Sequence, residues 1–375
     1  MNYNNTLTDY EMIGFGAKAN LSDGHAYQNL SVSQQRIVSR LSEIWQESEQ
    51  QTIPDSEQHY LERFARLIAS PGLLSVAGYS MLPTASNSID LVGAYLKSKG
   101  SRVLLTHPTF DNLALLLRRR GVEPQPISEV EIQDKNFREI RLAEADVLFL
   151  VNPNNPTGTN LTKKEFSEVV QSCVQLGVTI IIDASFRLFY MQTWDSYQVL
   201  QDADASYIVF EDTGKVFPSQ DMKVSILAYS ADCRDALREL YNEVYLCVSK
   251  FSVAVLGEFF EDALDCGLDS SVHKLVASRR AQLRAALGEA IVEPVAKSSQ
   301  ISVEWLSLAP TGLSDTEVVG DLFNCGVGVL PGRGFFWNQS GEPPFTQNFR
   351  VSLMKPQLEF DQGVEILKAY FSKVL

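Results

Sequence analysis

Three residues with the chemistry of an imine-forming cofactor site follow one another along the chain. Asn155 lies in NPNNPTG, Asp183 closes the apolar segment VTIIID, and Lys215 ends the acidic segment EDTGK. A lysine amine condenses with an aldehyde to form an imine. An aspartate can pair with a protonated ring nitrogen, and an asparagine amide can donate to a phenolic oxygen. The types and order of these residues therefore predict a site for pyridoxal phosphate.

Short apolar runs that alternate with helix-like segments must position these residues. The predicted strands span 73–80, 102–108, 146–153, 178–185, 206–212 and 225–230. The predicted helices between them span 86–99, 110–120 and 162–176, and the last opens with a capping box formed by Thr162 and Glu165. Continuous apolar strands alternating with helices indicate an α/β fold with a mostly parallel sheet that is covered on both faces.

The same pattern divides the chain into three parts. Residues 1–30 are polar and are predicted to form an N-terminal arm with short helical pieces. Residues 31–275 are predicted to form the large domain, of which 31–70 are a helical lead-in. Residues 276–375 contain ISVEWLSL, GVGVLPG and NFRVSLM, which suit a small α+β domain with a meandering sheet.

Composition limits the classes of function. The chain has 375 residues with 45% hydrophobic and 21% charged residues, as in a soluble globular protein, and its net charge of −14 argues against nucleic-acid binding. Five scattered cysteines without a CxxC motif indicate reduced thiols and a cytoplasmic location. We expect no signal peptide, no membrane span, no metal-ligand cluster and no dinucleotide fingerprint.

The spaced elements NPNNPTG, IIIDASF and EDTGK resemble the fold type I, aminotransferase-like enzymes that use pyridoxal phosphate, over residues 70–375. The resemblance implies a large domain with a mostly parallel central sheet flanked by helices, and a small α+β domain. It implies that Lys215 forms the imine, Asp183 pairs with the pyridine nitrogen and Asn155 contacts the ring oxygen. It also implies a homodimer.

Further cofactor contacts follow from this resemblance. Lys223 stands eight residues after the imine lysine, where the family usually places an arginine on the phosphate, and a lysine can act there as a point charge. Ser86, Asn87 and Ser88 begin a predicted helix whose N-terminus could bind an anion. An ordinary helix cap is the compatible alternative for these three residues.

Four other residues complete the predicted cofactor and substrate contacts. Phe110, in HPTFDN, stands where this fold stacks an aromatic ring on the cofactor, although a core phenylalanine is the alternative. Ser185 and Thr213 flank the ring-binding aspartate and the imine lysine and are also assigned to the cofactor. Arg350, in NFRVSLM, matches the arginine that binds a substrate α-carboxylate with its two parallel donors.

Two departures from the family pattern bear on the reaction. Transaminases of this fold usually have a serine three residues before the lysine, where this chain has Asp212. They usually have a tyrosine three residues after the pyridine aspartate, where this chain has Phe186, which cannot donate a hydrogen bond. An added carboxylate beside the imine would repel a dicarboxylic substrate and would suit a cationic group such as guanidinium.

The arm segments LTDYE and SDGHA, together with the core motifs, resemble the L-arginine oxidases and hydroxylases that use pyridoxal phosphate and O2. This resemblance implies that Thr8, Glu11 and Asp212 surround the substrate guanidinium, that Asn155 also contacts substrate, and that the arm closes over the site. It implies that His25 and Asp23 act in proton transfer.

The residues alone leave plainer interpretations of the arm open. Thr8 and Glu11 have the T-x-x-E spacing of a helix capping box, and a lone histidine such as His25 is more often structural. These interpretations need no substrate.

We therefore expect a cytoplasmic enzyme that oxidises L-arginine with O2 and without a metal or flavin, in secondary-metabolite and antibiotic biosynthesis. Its product would be a dehydro-2-imino- or 2-ketoarginine, or 4-hydroxy-2-ketoarginine, and the sequence does not choose between them. The first alternative is a conventional aminotransferase acting on a basic amino acid. The second is a binding or regulatory protein with the same fold.

Overall fold

The computed structural model describes residues 5–191, 193–288, 291–338 and 345–374. The strands in these residues are β1 (Ala19–Asn20), β2 (Gly78–Leu82), β3 (Val103–His107), β4 (Gln125–Ser128), β5 (Val147–Val151), β6 (Thr179–Asp183), β7 (Tyr207–Asp212), β8 (Ser225–Tyr229), β9 (Val303–Ser307), β10 (Val327–Gly328), β11 (Leu330–Pro331) and β12 (Asn348–Ser352).

The α-helices in the described residues are α1 (Leu7–Gly14), α2 (Val32–Ser39), α3 (Leu41–Gln50), α4 (Ile53–Leu67), α5 (Ala85–Lys99), α6 (Asp111–Arg119), α7 (Glu129–Gln133), α8 (Lys135–Leu142), α9 (Lys163–Leu176), α10 (Ser196–Asp202), α11 (Ala231–Val244), α12 (Lys250–Cys266), α13 (Lys274–Leu287), α14 (Asp315–Cys325) and α15 (Gln357–Val374).

A seven-stranded sheet forms the centre of the molecule, with the strand order β2-β8-β7-β6-β5-β3-β4. Strand β8 runs antiparallel to both of its neighbours, and the remaining adjacent pairs are parallel. The predicted α/β fold with a mostly parallel central sheet is therefore confirmed.

Strand β5 shows why its sequence is apolar throughout. Leu148 and Leu150 pack into a hydrophobic cluster on one face of the sheet. Val147, Phe149 and Val151 pack into a second cluster on the other face. Because successive strand residues point to opposite faces, a strand that is covered on both sides needs apolar residues at every position.

Most predicted elements lie within two residues of the observed ones, and the first strand is the main correction. The predicted strand at 73–80 is wrong at its start, since Pro71–Ser75 form a 3-10 helix and β2 begins only at Gly78. Strand β4, with the sequence QPIS, was not predicted. It lies at the edge of the sheet, which is where a strand tolerates proline.

The arm and the C-terminal strands pack together. Strands β11, β12 and β9 form a small antiparallel sheet, whereas β1 of the arm pairs in parallel with β10. The predicted run GVGVLPG is thus split between β10 and β11, which lie in different sheets. The domain boundaries stay a prediction, and residues 1–4 of the arm lie outside the described residues.

The topology places three strand ends side by side. Strands β5, β6 and β7 are parallel neighbours, so their carboxyl ends meet at one edge of the sheet. Val151 ends β5 just before the NPNNPTG turn, Asp183 ends β6, and Asp212 ends β7. Ligands of open α/β sheets bind at this edge.

Candidate active site

A cavity of about 250 Å³ lies at the edge where β5, β6 and β7 end. Its lining contains most of the residues that the sequence singled out. These are Thr8, Glu11, His25, Ser86, Phe110, Asn155, Asp183, Ser185, Asp212, Lys215, Lys223 and Arg350. Four other predicted residues are not part of this lining, namely Asp23, Asn87, Ser88 and Thr213.

Asp183 presents a buried carboxylate to the cavity from the end of β6. Its Oδ1 accepts a hydrogen bond from the main-chain N–H of Ser185 at 2.9 Å. Burial raises the pKa of Asp183 to about 6, although the hydrogen bonds from Ser185 and the charge of Lys215 act in the opposite direction. Among the described residues, no cationic side chain forms an ion pair with it. A buried carboxylate facing a cavity in this way fits a protonated ring nitrogen.

Lys215 and Asp212 share the adjoining wall. The Nζ atom of Lys215 lies 6.0 Å from the ring centre of Phe186, which is buried and has no hydroxyl to donate. Asp212 Oδ1 accepts a hydrogen bond from the main-chain N–H of Gly214 at 2.9 Å, which holds the turn between β7 and the lysine. The carboxylate of Asp212 is therefore fixed close to Lys215 by the local main chain.

The first turn of α5 forms another wall of the cavity. Thr84 caps this helix by accepting a hydrogen bond from the main-chain N–H of Asn87 at 3.2 Å. Ala85 and Ser86 line the cavity, together with Lys223 from the far side. The free N–H groups of a helix N-terminus and a nearby ammonium favour a bound anion such as a phosphate.

Three of the predicted cofactor residues turn their side chains elsewhere. The Asn87 amide donates to the Tyr245 hydroxyl at 3.0 Å, and the buried Ser88 hydroxyl lies 2.8 Å from that of Ser225. The Thr213 hydroxyl exchanges hydrogen bonds with the main chain just before β8. The main-chain N–H groups of Asn87 and Ser88 donate to Thr84, so the contacts of these three residues with a cofactor stay a prediction.

His25 joins the arm to the opposite wall of the cavity. Its Nδ1 lies 2.6 Å from Asp23 Oδ1, and its Nε2 lies 2.9 Å from Lys223 Nζ. The charge of Lys215 and burial lower the pKa of His25, against the influence of Asp23. A neutral imidazole that donates from Nδ1 to Asp23 and accepts at Nε2 from Lys223 satisfies both contacts.

Asp23 remains ionised beneath this histidine. Burial alone would raise its pKa, but the side-chain and main-chain hydrogen bonds from His25 and the nearby positive charge together hold the pKa well below its usual range. Lys355, a buried lysine that the sequence analysis did not single out, also lowers the pKa of Asp23 by its charge.

Lys355 stands directly after the apolar run that contains β12. Its Nζ lies 4.5 Å from the ring centre of Tyr27, and burial lowers the pKa of Lys355 to about 8, against the charge of Asp23. The main-chain N–H of Tyr27 donates to the carbonyl of Met354 at 2.8 Å. A lysine at the end of an apolar strand was the sequence signal that could have identified this residue.

Helix α1 carries Thr8 and Glu11 to the cavity. Thr6 is the N-cap of this helix, and Thr6 and Asp9 form its capping box. The alternative interpretation of Thr8 and Glu11 as a capping box is therefore wrong, because the helix begins at Leu7. Residues three apart lie on one side of a helix, and both Thr8 and Glu11 line the cavity.

Arg350 is almost fully buried in β12 and faces the same space. Its Nη2 donates to the carbonyl of Ser22 at 2.6 Å and to Glu11 Oε1 at 3.3 Å, and its Nη1 donates to Asn155 Oδ1 at 3.3 Å. Since Oδ1 of Asn155 accepts from Arg350, the amide NH2 of Asn155 remains to donate into the cavity.

The aromatic wall was only partly predicted. Phe110 packs edge-to-face against Phe335 at 5.9 Å and lies 5.7 Å from the Arg350 guanidinium carbon. The Asn112 amide donates to the Ser86 hydroxyl at 3.0 Å and so joins α6 to α5. Lining residues that the sequence analysis did not assign are Thr84, Ala85, Ile89, Thr109, Asn112, Leu113, Val151 and Phe186. Thr109 and Asn112 stand beside Phe110 in HPTFDN, and that proximity was the available signal.

Two wider features of the described residues bear on function. They contain no cluster of three or more His, Cys, Asp or Glu side chains that could hold a metal ion. None of their helices is long and apolar enough to cross a membrane.

The observed groups fit pyridoxal phosphate in three respects. The buried Asp183 faces the cavity without an ion-pair partner among the described residues, the helix N-terminus at Ser86 lines it, and Lys215 adds an amine to the same lining. These residues, with Asn155 and Lys223, are those that would hold the cofactor.

Comparison with known proteins bears on this fit. Residues 41–367 match the family described as aminotransferase class I and II. The chain is similar to a solved structure of MppP soaked with the product 2-ketoarginine, with a TM-score of 0.87 and 32% identity, over 94% of this chain and 99% of that one. It is also similar to aspartate aminotransferase from Thermus thermophilus with maleate, with a TM-score of 0.79, 13% identity and coverage of 99% and 97%, which shows the fold alone.

The curated relatives are more distant. A histidinol-phosphate aminotransferase of Thermotoga sp. is 26% identical over 42% of this chain and 43% of its own length. A putative threonine-phosphate decarboxylase of Caldanaerobacter subterraneus is 28% identical over 31% of this chain and 32% of its own length. The matches thus span less than half the length of these curated relatives.

Proposed function

We propose that this chain, which belongs to the class I and II aminotransferase family and is a pyridoxal phosphate-dependent enzyme of that fold, oxidises L-arginine with O2. The observation that carries the proposal is the charge arrangement of the cavity. Two carboxylates, Glu11 and Asp212, line a space that also contains Arg350 and Lys215. An amino acid with a cationic side chain matches that arrangement, because its carboxylate suits Arg350 and its cationic side chain suits the two carboxylates.

The two ends of arginine call for different partners. Arg350 would bind the α-carboxylate, because a guanidinium offers two parallel donors to a carboxylate. At the other end, the substrate guanidinium would donate to the carboxylates of Asp212 and Glu11 and to the hydroxyl of Thr8. The similarity to MppP, whose structure was soaked with the product 2-ketoarginine, supports this choice of substrate.

Bound pyridoxal phosphate supplies an aldehyde that condenses with amines and a ring that withdraws electrons from the substrate α-carbon. Asp183 would keep the ring nitrogen protonated, which its buried carboxylate favours. Asn155 would donate to the ring oxygen, and Phe110 would cover one face of the ring. Lys223 and the first turn of α5, at Ser86, would bind the phosphate.

Proton transfers then fall to two side chains of the cavity. Lys215, once displaced by the substrate amine, would remove the proton from the α-carbon of arginine. His25 would hold or activate a water molecule, since its neutral imidazole offers a lone pair when Lys223 turns to the phosphate. Asp23 keeps the imidazole oriented through its hydrogen bond to Nδ1.

In the proposed reaction arginine is oxidised and O2 accepts its electrons. Each two-electron oxidation removes two hydrogens from arginine and reduces one O2 to hydrogen peroxide, and one water then hydrolyses a released imine to the 2-oxo acid and ammonia. A second oxidation would give a dehydro product, and addition of water would give 4-hydroxy-2-ketoarginine. We expect no metal or flavin in this step, a homodimeric enzyme, a cytoplasmic location, and a role in secondary-metabolite biosynthesis.

A conventional aminotransferase acting on a basic amino acid is the second candidate. The names of several curated relatives favour it, since they are aminotransferases. It would use the same cofactor residues but would need a 2-oxo acid as amino acceptor. Asp212 and Phe186, where transaminases of this fold usually have serine and tyrosine, favour the oxidase.

O2 uptake by the purified holoprotein with L-arginine, in the absence of any 2-oxo acid, distinguishes the two functions. We expect uptake, hydrogen peroxide, and an oxidised 2-oxo product that mass spectrometry identifies. Turnover that begins only after a 2-oxo acid is added would instead establish an aminotransferase. L-Lysine serves as a matched control, because its ammonium cannot pair with two carboxylates through a planar fork.

A further inference from the structure

We propose that Asp111 is a positioning residue that holds helix α1 against the cavity through the main chain of Leu7. Asp111 Oδ2 accepts a hydrogen bond from the Leu7 N–H at 2.9 Å, in a buried setting and across 104 residues of sequence. The importance of this bond for substrate binding rests on the proposed function, since it depends on Thr8 and Glu11 contacting arginine.

The bond satisfies a donor that the helix cannot satisfy itself. In α1 the Thr6 side chain accepts from the Asp9 N–H, and the Asp9 side chain accepts from the Thr6 N–H. The Leu7 N–H is the first of the helix and is among those without an intrahelical partner. Asp111 provides the acceptor from a different part of the chain.

Packing at the same point makes the contact specific. Leu7 is fully buried, and a Cβ atom on Gly334 would come within 2.7 Å of its side chain. The helix end is therefore seated in a close-fitting contact rather than resting on the surface. Thr8 follows Leu7 directly and Glu11 lies one turn later, so the position of Leu7 sets where both side chains enter the cavity.

Asp111 also links the arm to the cofactor side of the cavity. It follows Phe110, whose ring lines the cavity, and it is the first residue of α6. Its second oxygen, Oδ1, is buried without a hydrogen-bond partner among the described residues. A carboxylate that is 7% exposed and is satisfied on one oxygen needs a reason to be there, and the Leu7 N–H supplies one.

The hydrogen bond between Asp111 and the arm forms against electrostatic repulsion from acidic residues nearby. Glu11 and Asp9 of α1 raise the pKa of Asp111 by their charges, in addition to burial, while the Leu7 N–H lowers it. Burial lowers the pKa of the nearby Arg350, and the charges of Glu11, Asp23 and Asp111 act in the opposite direction. The hydrogen bond to Leu7 thus opposes the repulsion between Asp111 and the acidic residues Asp9 and Glu11 of α1.

The test measures amide hydrogen exchange of residues 7–14 in the holoprotein, beside KM and kcat for L-arginine. In Asp111→Ala we expect exchange in α1 to become about tenfold faster, as for a lost buried hydrogen bond. The KM for arginine should rise by a similar factor, with the absorbance of the bound cofactor unchanged. Asp111→Asn should recover part of the protection, because its amide oxygen still accepts.

Leu7→Pro and Leu7→Ala form a matched pair that tests the same bond from the other side. Both remove the leucine side chain, but only proline also removes the N–H, and proline is well tolerated at the first position of a helix. Thr6 already has the extended main chain that must precede proline, with φ −70° and ψ 165°. We expect faster exchange in Leu7→Pro than in Leu7→Ala, and no further effect of adding Asp111→Ala to Leu7→Pro.

Unchanged exchange of α1 in Asp111→Ala, or equal exchange in the two Leu7 variants, would overturn the proposal. Both readouts are independent of the reaction, so they remain informative if arginine is not oxidised. Faster exchange of α1 with an unaltered KM for arginine would keep Asp111 as the holder of the helix and would instead contradict the proposed role of the arm in substrate binding.

Discussion

The two walls of the cavity are held in place by different kinds of contact. On one wall, Asp183 and Asp212 end strands whose main chains pair on both sides within the central sheet. On the other wall, Thr8 and Glu11 lie on an eight-residue helix that follows the N-terminus. The first wall cannot move without disrupting the central sheet, whereas the second is held by burial of side chains such as Leu7 and Tyr10 and by hydrogen bonds of the arm to several separate parts of the chain.

Three contacts show how the arm is attached to separate parts of the chain. The Leu7 N–H binds Asp111, the two-residue strand β1 pairs with β10, and the Ala26 N–H donates to the Gly214 carbonyl at 3.2 Å. The last of these ties the arm to the residue that precedes Lys215. We infer that the sheet wall fixes the cofactor and, through Asp212, the main partner of the substrate guanidinium. The arm wall would complete the site around a substrate that must enter and leave.

The largest effect should come from the fixed wall. Lys215→Ala removes the amine that we propose forms the imine and takes the α-proton, so we expect turnover of arginine to fall by at least about a thousandfold. O2 uptake measures turnover, and the loss of the long-wavelength absorbance of the imine measures the bond to the cofactor. Lys163→Ala, at the exposed start of α9, is the control for loss of a lysine. Normal turnover of Lys215→Ala would remove this residue from the mechanism.

The next effect concerns the buried charge behind the arm. Lys355 has a pKa of about 8 in the folded protein and 10.5 as a free side chain. Between these values the unfolded chain keeps a proton that the folded protein has lost, so the free energy of unfolding rises with pH. Below pH 8 both states hold the proton and the contribution no longer changes.

Lys355→Met should abolish that rise. We expect the free energy of unfolding of the native protein, relative to the variant, to increase by about 3 kcal/mol between pH 8 and pH 10.5. Urea unfolding of both proteins across this range measures the difference, in which the titration of other groups cancels. A difference that is constant with pH would show that Lys355 keeps its proton and that its surroundings are more polar than the structure indicates.

A smaller effect compares one carboxylate from each wall. Asp212→Asn should raise the KM for arginine by about 10- to 100-fold, as for loss of a charged hydrogen-bond partner, without changing the affinity for the cofactor. Glu11→Gln should raise the KM for arginine less than Asp212→Asn does. Glu11 is already paired with Arg350, and in the variant Arg350 keeps its hydrogen bond to the Ser22 carbonyl. Titration of the apoprotein with pyridoxal phosphate provides the second measurement.

Equal losses of cofactor and substrate affinity in Asp212→Asn would contradict a contact with guanidinium. A larger effect of Glu11→Gln than of Asp212→Asn would reverse the division between the walls. In that case the arm, rather than the sheet, would contribute most of the discrimination for a cationic substrate.

The same division explains what could be predicted from the sequence. The apolar strands and the residues that end them follow from local patterns, since a buried parallel strand must be apolar throughout. Asp183 at a strand end and Asn155 in the turn after a strand therefore follow from the pattern, whereas the interest of Asp212 came from the resemblance to a family. The placement of Phe110 came from the resemblance to a family, which no periodicity could supply.

The arm shows where local patterns fail. Thr8 and Glu11 have the spacing of a capping box, and Thr6 and Asp9 lie two residues earlier with an equally suitable pair. The sequence cannot choose between them, because the choice depends on where Leu7 is seated by contacts 104 residues away. Lys355 follows an apolar run, but that run alone does not show that the lysine is buried, because burial of a lysine depends on what packs over it.

The smallest predicted effect compares a capping box of the arm with one beside the central sheet. Thr6 caps α1 and Thr162 caps α9 with the same capping box, completed by Asp9 and Glu165. Replacing either threonine by alanine should cost about 1 kcal/mol of helix stability. Because α9 is packed on the central sheet, Thr162→Ala should lower the free energy of global unfolding by that amount.

Thr6→Ala should instead act locally. Helix α1 can open while the rest of the molecule stays folded, so we expect about fivefold faster amide exchange in residues 7–14, with global unfolding unchanged. Hydrogen exchange and urea unfolding of both variants give the four values needed. If Thr6→Ala lowered global stability as much as Thr162→Ala, the arm would unfold only together with the core. The arm would then be as fixed as the sheet wall, and substrate entry would require a different opening.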